Sequence, residues 1–103
     1  MVDVTCGSEA CDQAFLNQQV GPVEAQCAEG VIGIEDPSYN PEQWNTAGSG
    51  AYGIPQAEGG MASAGPDWQT NPVTQLRWMI AYVKQRWHDF CGAFAQDRAH
   101  GWY

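Results

Sequence analysis

Glu35 is the residue of this chain best placed for acid–base chemistry. It follows Val31, Ile32 and Ile34, and a carboxyl set in an apolar wall loses solvation, which raises its affinity for a proton. The C-terminal end of a helix is the negative end of its macrodipole and acts in the same sense, as do the neighbouring acids Asp36 and Glu42. A carboxylic acid still protonated near neutral pH is the general acid that cleavage of a glycosidic bond requires. The other reading of Glu35 is a solvated glutamate on a helix end. The local pattern supports the two equally.

Other constellations are weaker. The four cysteines, Cys6, Cys11, Cys27 and Cys91, allow two disulfides in any of three pairings, or a zinc site. Zinc ligands come with close Cys-Cys or His-His pairs, whereas the gaps here are four, fifteen and sixty-three residues, and His88 and His100 form no such pair. Disulfides are the stronger reading, which places the chain in an oxidising compartment outside the cytoplasm; no metal is expected. Gly48-Ser49-Gly50-Ala51-Tyr52-Gly53 matches G-x-G-x-x-G. A dinucleotide site needs a strand before it and a helix after it, but Ile54-Pro55 follows, so these glycines are read as tight turns against a helix or a substrate. No cofactor is expected. His88 and His100 read as structural or solvated residues.

Charge removes whole classes of partner. Twelve acids oppose four bases for a net charge of −8, and the first 58 residues hold nine of the acids with no Lys or Arg. Binding to nucleic acid or to an anionic membrane draws on a basic footprint, which is missing. No apolar run reaches the ~20 residues of a membrane span. The first twenty residues lack a basic region followed by an apolar one, so no signal peptide is expected in the chain.

The elements that must position Glu35 follow from pattern and caps. A helix is expected over 8–19, with Ser8 as N-cap and Gly21-Pro22 ending it. A second is expected over 23–35, offering Cys27, Val31, Ile32 and Ile34 to the core, weakened by Gly30 and Gly33 unless something packs against them. Pro37 stops it. Residues 37–72 read as a long ordered loop carrying Trp44, Tyr52 and Trp68. Asn71-Pro72 opens the strongest helix, with Val73, Leu76, Ile80, Val83 and Trp87 in one stripe to about His88. A short helix over 91–98 follows. The 103 residues form a single, mainly α domain with one large functional loop.

Longer blocks carry a resemblance. Residues 50–57 (GAYGIPQA) and 61–72 (MASAGPDWQTNP), then 74–78, 82–86, 91–93 and the terminal Ala99-His100-Gly101-Trp102-Tyr103, are similar to the soluble-type (SLT) lytic transglycosylases, nearest to their actinobacterial and phage-borne branch. The likeness covers about residues 27–103 and leaves 1–26 as an unmatched N-terminal helical segment.

The resemblance implies a small lysozyme-like helical domain whose long loop lines a sugar-binding cleft. It also implies cleavage of the β-1,4 bond between N-acetylmuramic acid and N-acetylglucosamine in peptidoglycan glycan strands outside the cytoplasm; a monomer is expected. Counting forward from Cys27 in the branch's Cys-x7-Glu spacing assigns the acid to Glu35. Counting back from Asn40-Pro41 lands on Asp36, but an extra residue near Pro37 is cheap, whereas a one-residue slip in the helix turns the side chain by ~100°. Asp36 stands where the family has Ser, and the loop from Ala57 to Met61 is short for the branch. By the same resemblance Tyr82 is the tyrosine whose hydroxyl lies near the glutamate. Gln56, Ala51, Tyr52, Gly53 and Ile54 belong to the motif lining the cleft. Cys27 pairs with Cys91, leaving Cys6 with Cys11. Trp44, Trp68, Tyr39 and Tyr52 are candidates for stacking on sugars. Two alternatives stand beside a transglycosylase: a muramidase in which Asp36 positions water, and a silent peptidoglycan-binding module whose acid Asp36 has spoiled.

Overall fold

The computed structural model describes residues 7–45 and 50–103. These form a mainly α-helical domain with four α-helices and no strand among them. Its radius of gyration, 12.5 Å, is that of a compact chain of this length. None of the helices is long and apolar enough to cross a membrane.

Helix α1 spans Glu9–Val20, and the Ser8 side chain accepts the Cys11 N–H, as an N-cap should. Helix α2, Pro22–Glu35, begins one residue earlier than expected, because proline is at ease at the first helical position. Gly21 joins the two in one residue: at φ 87° it caps α1 and also accepts from Ala25 N–H. Helix α3, Pro72–Trp87, starts at its expected Asn71 cap. Helix α4, Phe90–His100, is longer at both ends than the expected 91–98, with Asp89 accepting the Gly92 N–H and Gly101 closing it in the left-handed conformation.

The core lies where α1, α2, α3 and α4 meet, around Leu16, Ala28, Val31, Ile32, Leu76, Met79, Val83 and Ala93. Val73, Leu76 and Val83 of the expected stripe are buried, Ile80 and Trp87 only partly. Ile34, expected inside, is 43% exposed, because the face of α2 that packs is the one carrying Val31, Ile32 and Glu35. Tyr39 is buried in the core, its hydroxyl accepting from Gln13, and so is removed from the stacking candidates.

Helices α2 and α4 run side by side in the same direction. The Glu24 carboxylate accepts the Phe90 and Cys91 N–H groups, Cys27 is disulfide-bonded to Cys91, and Gly30 lies against the ring of Phe94. A Cβ on Gly30 would stand 2.6 Å from that ring, which is why a poor helix former sits there. Gly33 has no such neighbour. Cys11 is also disulfide-bonded; Cys6, its expected partner, lies outside the described residues.

The described stretches of the loop between α2 and α3 are held by backbone pairing and by one side chain. Isolated bridges link Trp44 to Tyr52 and Tyr52 to Ala57, and a 3-10 turn covers Met61–Ala64. The carboxamide of Gln75, fully buried on α3, accepts from Ile54 N–H and donates to the carbonyls of Pro41 and Trp68. One side chain thus ties three stretches of loop to a helix.

Candidate active site

A cleft of about 520 Å³ opens between the loop, α3 and the segment that follows α4. One wall is Asn45, Ala51 and 55–59; the other is Trp78, Tyr82, Arg86 and 101–103; Glu35 lies in it at the end of α2. Four expected site residues therefore meet here: Glu35, Gln56, Tyr82 and Ala51.

The Glu35 carboxyl is pushed up to about 8, first by burial, then by a hydrogen bond to Asp97 and by the charges of Asp97 and Glu58. The expectation of a raised proton affinity holds, but the acids responsible are Asp97 and Glu58 rather than Asp36 and Glu42. Asp97 projects from α4, is 1% exposed, and neither of its oxygens receives a bond from an N–H or hydroxyl donor among the described residues. Two neighbouring carboxyls, one buried and one half-buried, cannot both ionise cheaply.

Asp36 does not reach the cleft. Its N–H closes the last turn of α2 on Ile32, and its buried carboxylate accepts the Ser38 hydroxyl at 2.6 Å. Burial raises its proton affinity, while the Ser38 hydroxyl and the N–H groups of Asn40 and Ser38 pull it down. It shapes the turn out of α2 and lies outside the cleft lining.

Tyr82 lines the cleft, but its hydroxyl donates to the Tyr103 carbonyl at 2.7 Å rather than to Glu35. Its ring stacks on Trp78, centroids 5.0 Å apart, and meets Tyr103 edge-on at 5.6 Å. The Tyr103 hydroxyl in turn donates to the Pro55 carbonyl at 2.6 Å, joining the two walls. Burial holds that phenol protonated well beyond the ordinary range, with Glu35, Tyr82 and Asp97 adding to it. Arg86 stands within 6 Å of three ring centroids, those of Tyr82, Trp87 and Trp102, so the cleft has a cationic aromatic shelf opposite its acids.

Gln56 holds a left-handed φ of 53° and donates to the carbonyls of Gln43 and Gly53, so it locks the loop as well as facing the cleft. Gly53 and Ile54 lie behind that wall, buried against Gln75. Tyr52 donates to the Gln69 carbonyl and meets Trp68 edge-on, a loop-internal pair outside the cleft lining. Trp44 is 60% exposed and also outside it. Of the G-x-G-x-x-G run, residues 50 and 51 lead into the bridge residue Tyr52, and Gly53 opens the turn over 53–56 that the Tyr52–Ala57 bridge closes, not a strand-to-helix junction; 48 and 49 lie outside the described residues. Among the described residues no three His, Cys, Asp or Glu side chains gather as a metal site needs.

Asp97, Glu58, Trp78, Arg86, Trp102 and Tyr103 join the site without having been singled out from the sequence. The Cys27–Cys91 pairing held the one available signal, since it sets α2 beside α4 and so Asp97 near the end of α2.

No protein-family model, curated protein or solved structure matches this chain.

Proposed function

We propose that this domain is a lysozyme-like peptidoglycan lytic transglycosylase, cleaving the MurNAc–GlcNAc bond with Glu35 as its one acid and base. The observation that carries the reading is Glu35 at the helix end in the wall of an open cleft with an aromatic shelf, its carboxyl pushed up to about 8 by burial and by Asp97. A group of that proton affinity is loaded as an acid at neutral pH, which is the state a leaving sugar oxygen needs.

The steps balance on Glu35 alone. Its proton passes to the bridging oxygen as the C1–O bond breaks, and the muramyl N-acetyl group stabilises the positive charge developing at C1. The Glu35 carboxylate then takes the proton of the same sugar's C6 hydroxyl while O6 bonds to C1, closing a 1,6-anhydro ring without water. Trp78, Tyr82 and Trp102 offer flat apolar faces to the C–H faces of sugars, with polar edges left wet. The Cys27–Cys91 bridge fits work outside the cytoplasm.

Hydrolysis is the second reading, and one observation favours it: Glu58 also lines the cleft and its charge is felt at Glu35. A hydrolase places a second carboxylate across the sugar ring as nucleophile or water activator. Mass spectrometry of products released from purified peptidoglycan separates the two, because the anhydro product is lighter by one water. Glu35→Gln is expected to lower release by about 10²–10⁴-fold; unchanged release by the variant would remove Glu35 as the acid.

A further inference from the structure

The packing of α2 on α4 brings the half-buried carboxyl of Glu35 to the buried one of Asp97. Three rungs come first: the Glu24 carboxylate on the first N–H groups of α4, the Cys27–Cys91 bridge, and Gly30 against Phe94. The fourth is Glu35 with Asp97. From the bridged Cys27 and Cys91, Glu35 lies eight residues on and Asp97 six, roughly 12 and 9 Å along helices that run the same way. Asp97 is excluded from water, is not among the cleft-lining residues, and has no N–H or hydroxyl donor to either oxygen among the described residues. A buried carboxylate in that condition is costly, and the acid form of Glu35, hydrogen-bonded to it, can donate to it.

We infer that Asp97 is a positioning residue for Glu35: the two carboxyls share a single proton, which loads Glu35 as the acid and makes it a strong base once that proton has been given away. The role in turnover rests on the glycan-cleaving reading above; the pairing does not. After the first transfer both carboxyls are ionised side by side, so the return of a proton to Glu35 from the sugar's C6 hydroxyl is favoured. Asp97 gives up and takes up no net proton. The other groups facing Glu35 are few. Glu58 from the loop adds negative charge, Tyr103 from the C-terminal segment stays a neutral phenol, and Tyr82 and Arg86 of α3 line the same cleft. Asp36, next on the chain, is turned onto Ser38.

The test is a carboxyl ¹³C NMR titration of the oxidised domain, unaltered and as Asp97→Asn, beside the pH profile of product release from peptidoglycan. In the unaltered protein Glu35 and Asp97 are expected to respond to each other's titration in two shared steps. In Asp97→Asn the Glu35 midpoint is expected to fall from about 8 by roughly one to three pH units, because the amide is uncharged and donates to the ionised form. The basic limb of kcat should fall with it while KM holds, which a purely structural role for Asp97 would not produce. Independent single-step titrations in the unaltered protein would overturn the pairing, and so would a Glu35 midpoint indifferent to the substitution. If Asp97→Asn does not fold, the titration of the unaltered protein decides alone. Shared titration without any product would uphold the pairing and remove the glycan-cleaving reading; product without shared titration would do the reverse.

Discussion

Replacing Gln75 by Leu should cost more stability than any other single substitution of similar volume in α3. The side chain is fully buried and bonded three times: Oε1 accepts from Ile54 N–H at 2.9 Å, and Nε2 donates to Pro41 O at 2.7 Å and Trp68 O at 2.8 Å. Leucine fills similar space but leaves one N–H and two carbonyls without partners. Each stranded group costs about 1–3 kcal/mol. Water can reach the carbonyls of Pro41 and Trp68 more easily than the buried Ile54 N–H, so the lower half of the range applies to those two, and the sum is roughly 3–7 kcal/mol. Against a total of about 5–15 kcal/mol for a domain, that is enough to loosen the whole loop and with it one wall of the cleft. Urea denaturation with the disulfides intact gives the loss directly, and hydrogen exchange at the Ile54 amide locates it. A loss under about 1 kcal/mol, with exchange at Ile54 unchanged, would refute the idea that this carboxamide organises the loop.

Three further outcomes are expected. Gly53→Ala should destabilise by at least ~1 kcal/mol, because φ is +77° and the new methyl would stand 2.6 Å from the Gln75 carboxamide; an unchanged urea midpoint would contradict this. Removing the Cys27–Cys91 bridge by a double Ser substitution frees a loop with a sequence separation of 64, worth about 4 kcal/mol in the chain-entropy account; a melting temperature within a degree or two of the parent would count against it. The pH dependence of stability should favour mildly acidic solution. Glu35, raised from 4.5 to about 8, and Asp12, raised from 3.8 to about 6 by burial and then by Glu9, bind protons more tightly folded than unfolded. Their stabilisation is complete below the unfolded values and is lost as pH rises through the folded ones. Asp36 and Asp97 shift in the same direction. The melting temperature should therefore fall between pH 5 and 9, and a rise over that range would sink the assignment.

Local chemistry made much of the fold legible. Ser8, Gly21-Pro22 and Asn71-Pro72 mark helix ends because capping and proline geometry act within one turn of chain. The stripe on α3 told which face is buried, because a helix repeats every 3.6 residues whatever its neighbours do. The same locality explains the errors. Ile34 was assigned to the core although the packed face of α2 lies to one side of it, Asp36 to the site although Ser38 holds it away, and Tyr39 to sugar although Gln13 meets it in the interior.

The four helices and the capping residues that open α1 and α3 were thus legible in the sequence itself, since each depends on residues within about four positions. Which carboxylate faces Glu35, which side chain fastens the loop and which rings line the cleft were decided by the tertiary structure alone. Asp97 and Gln75 look like ordinary polar residues of helices until packing takes them out of water. Only there does a missing partner cost enough to dictate what stands opposite.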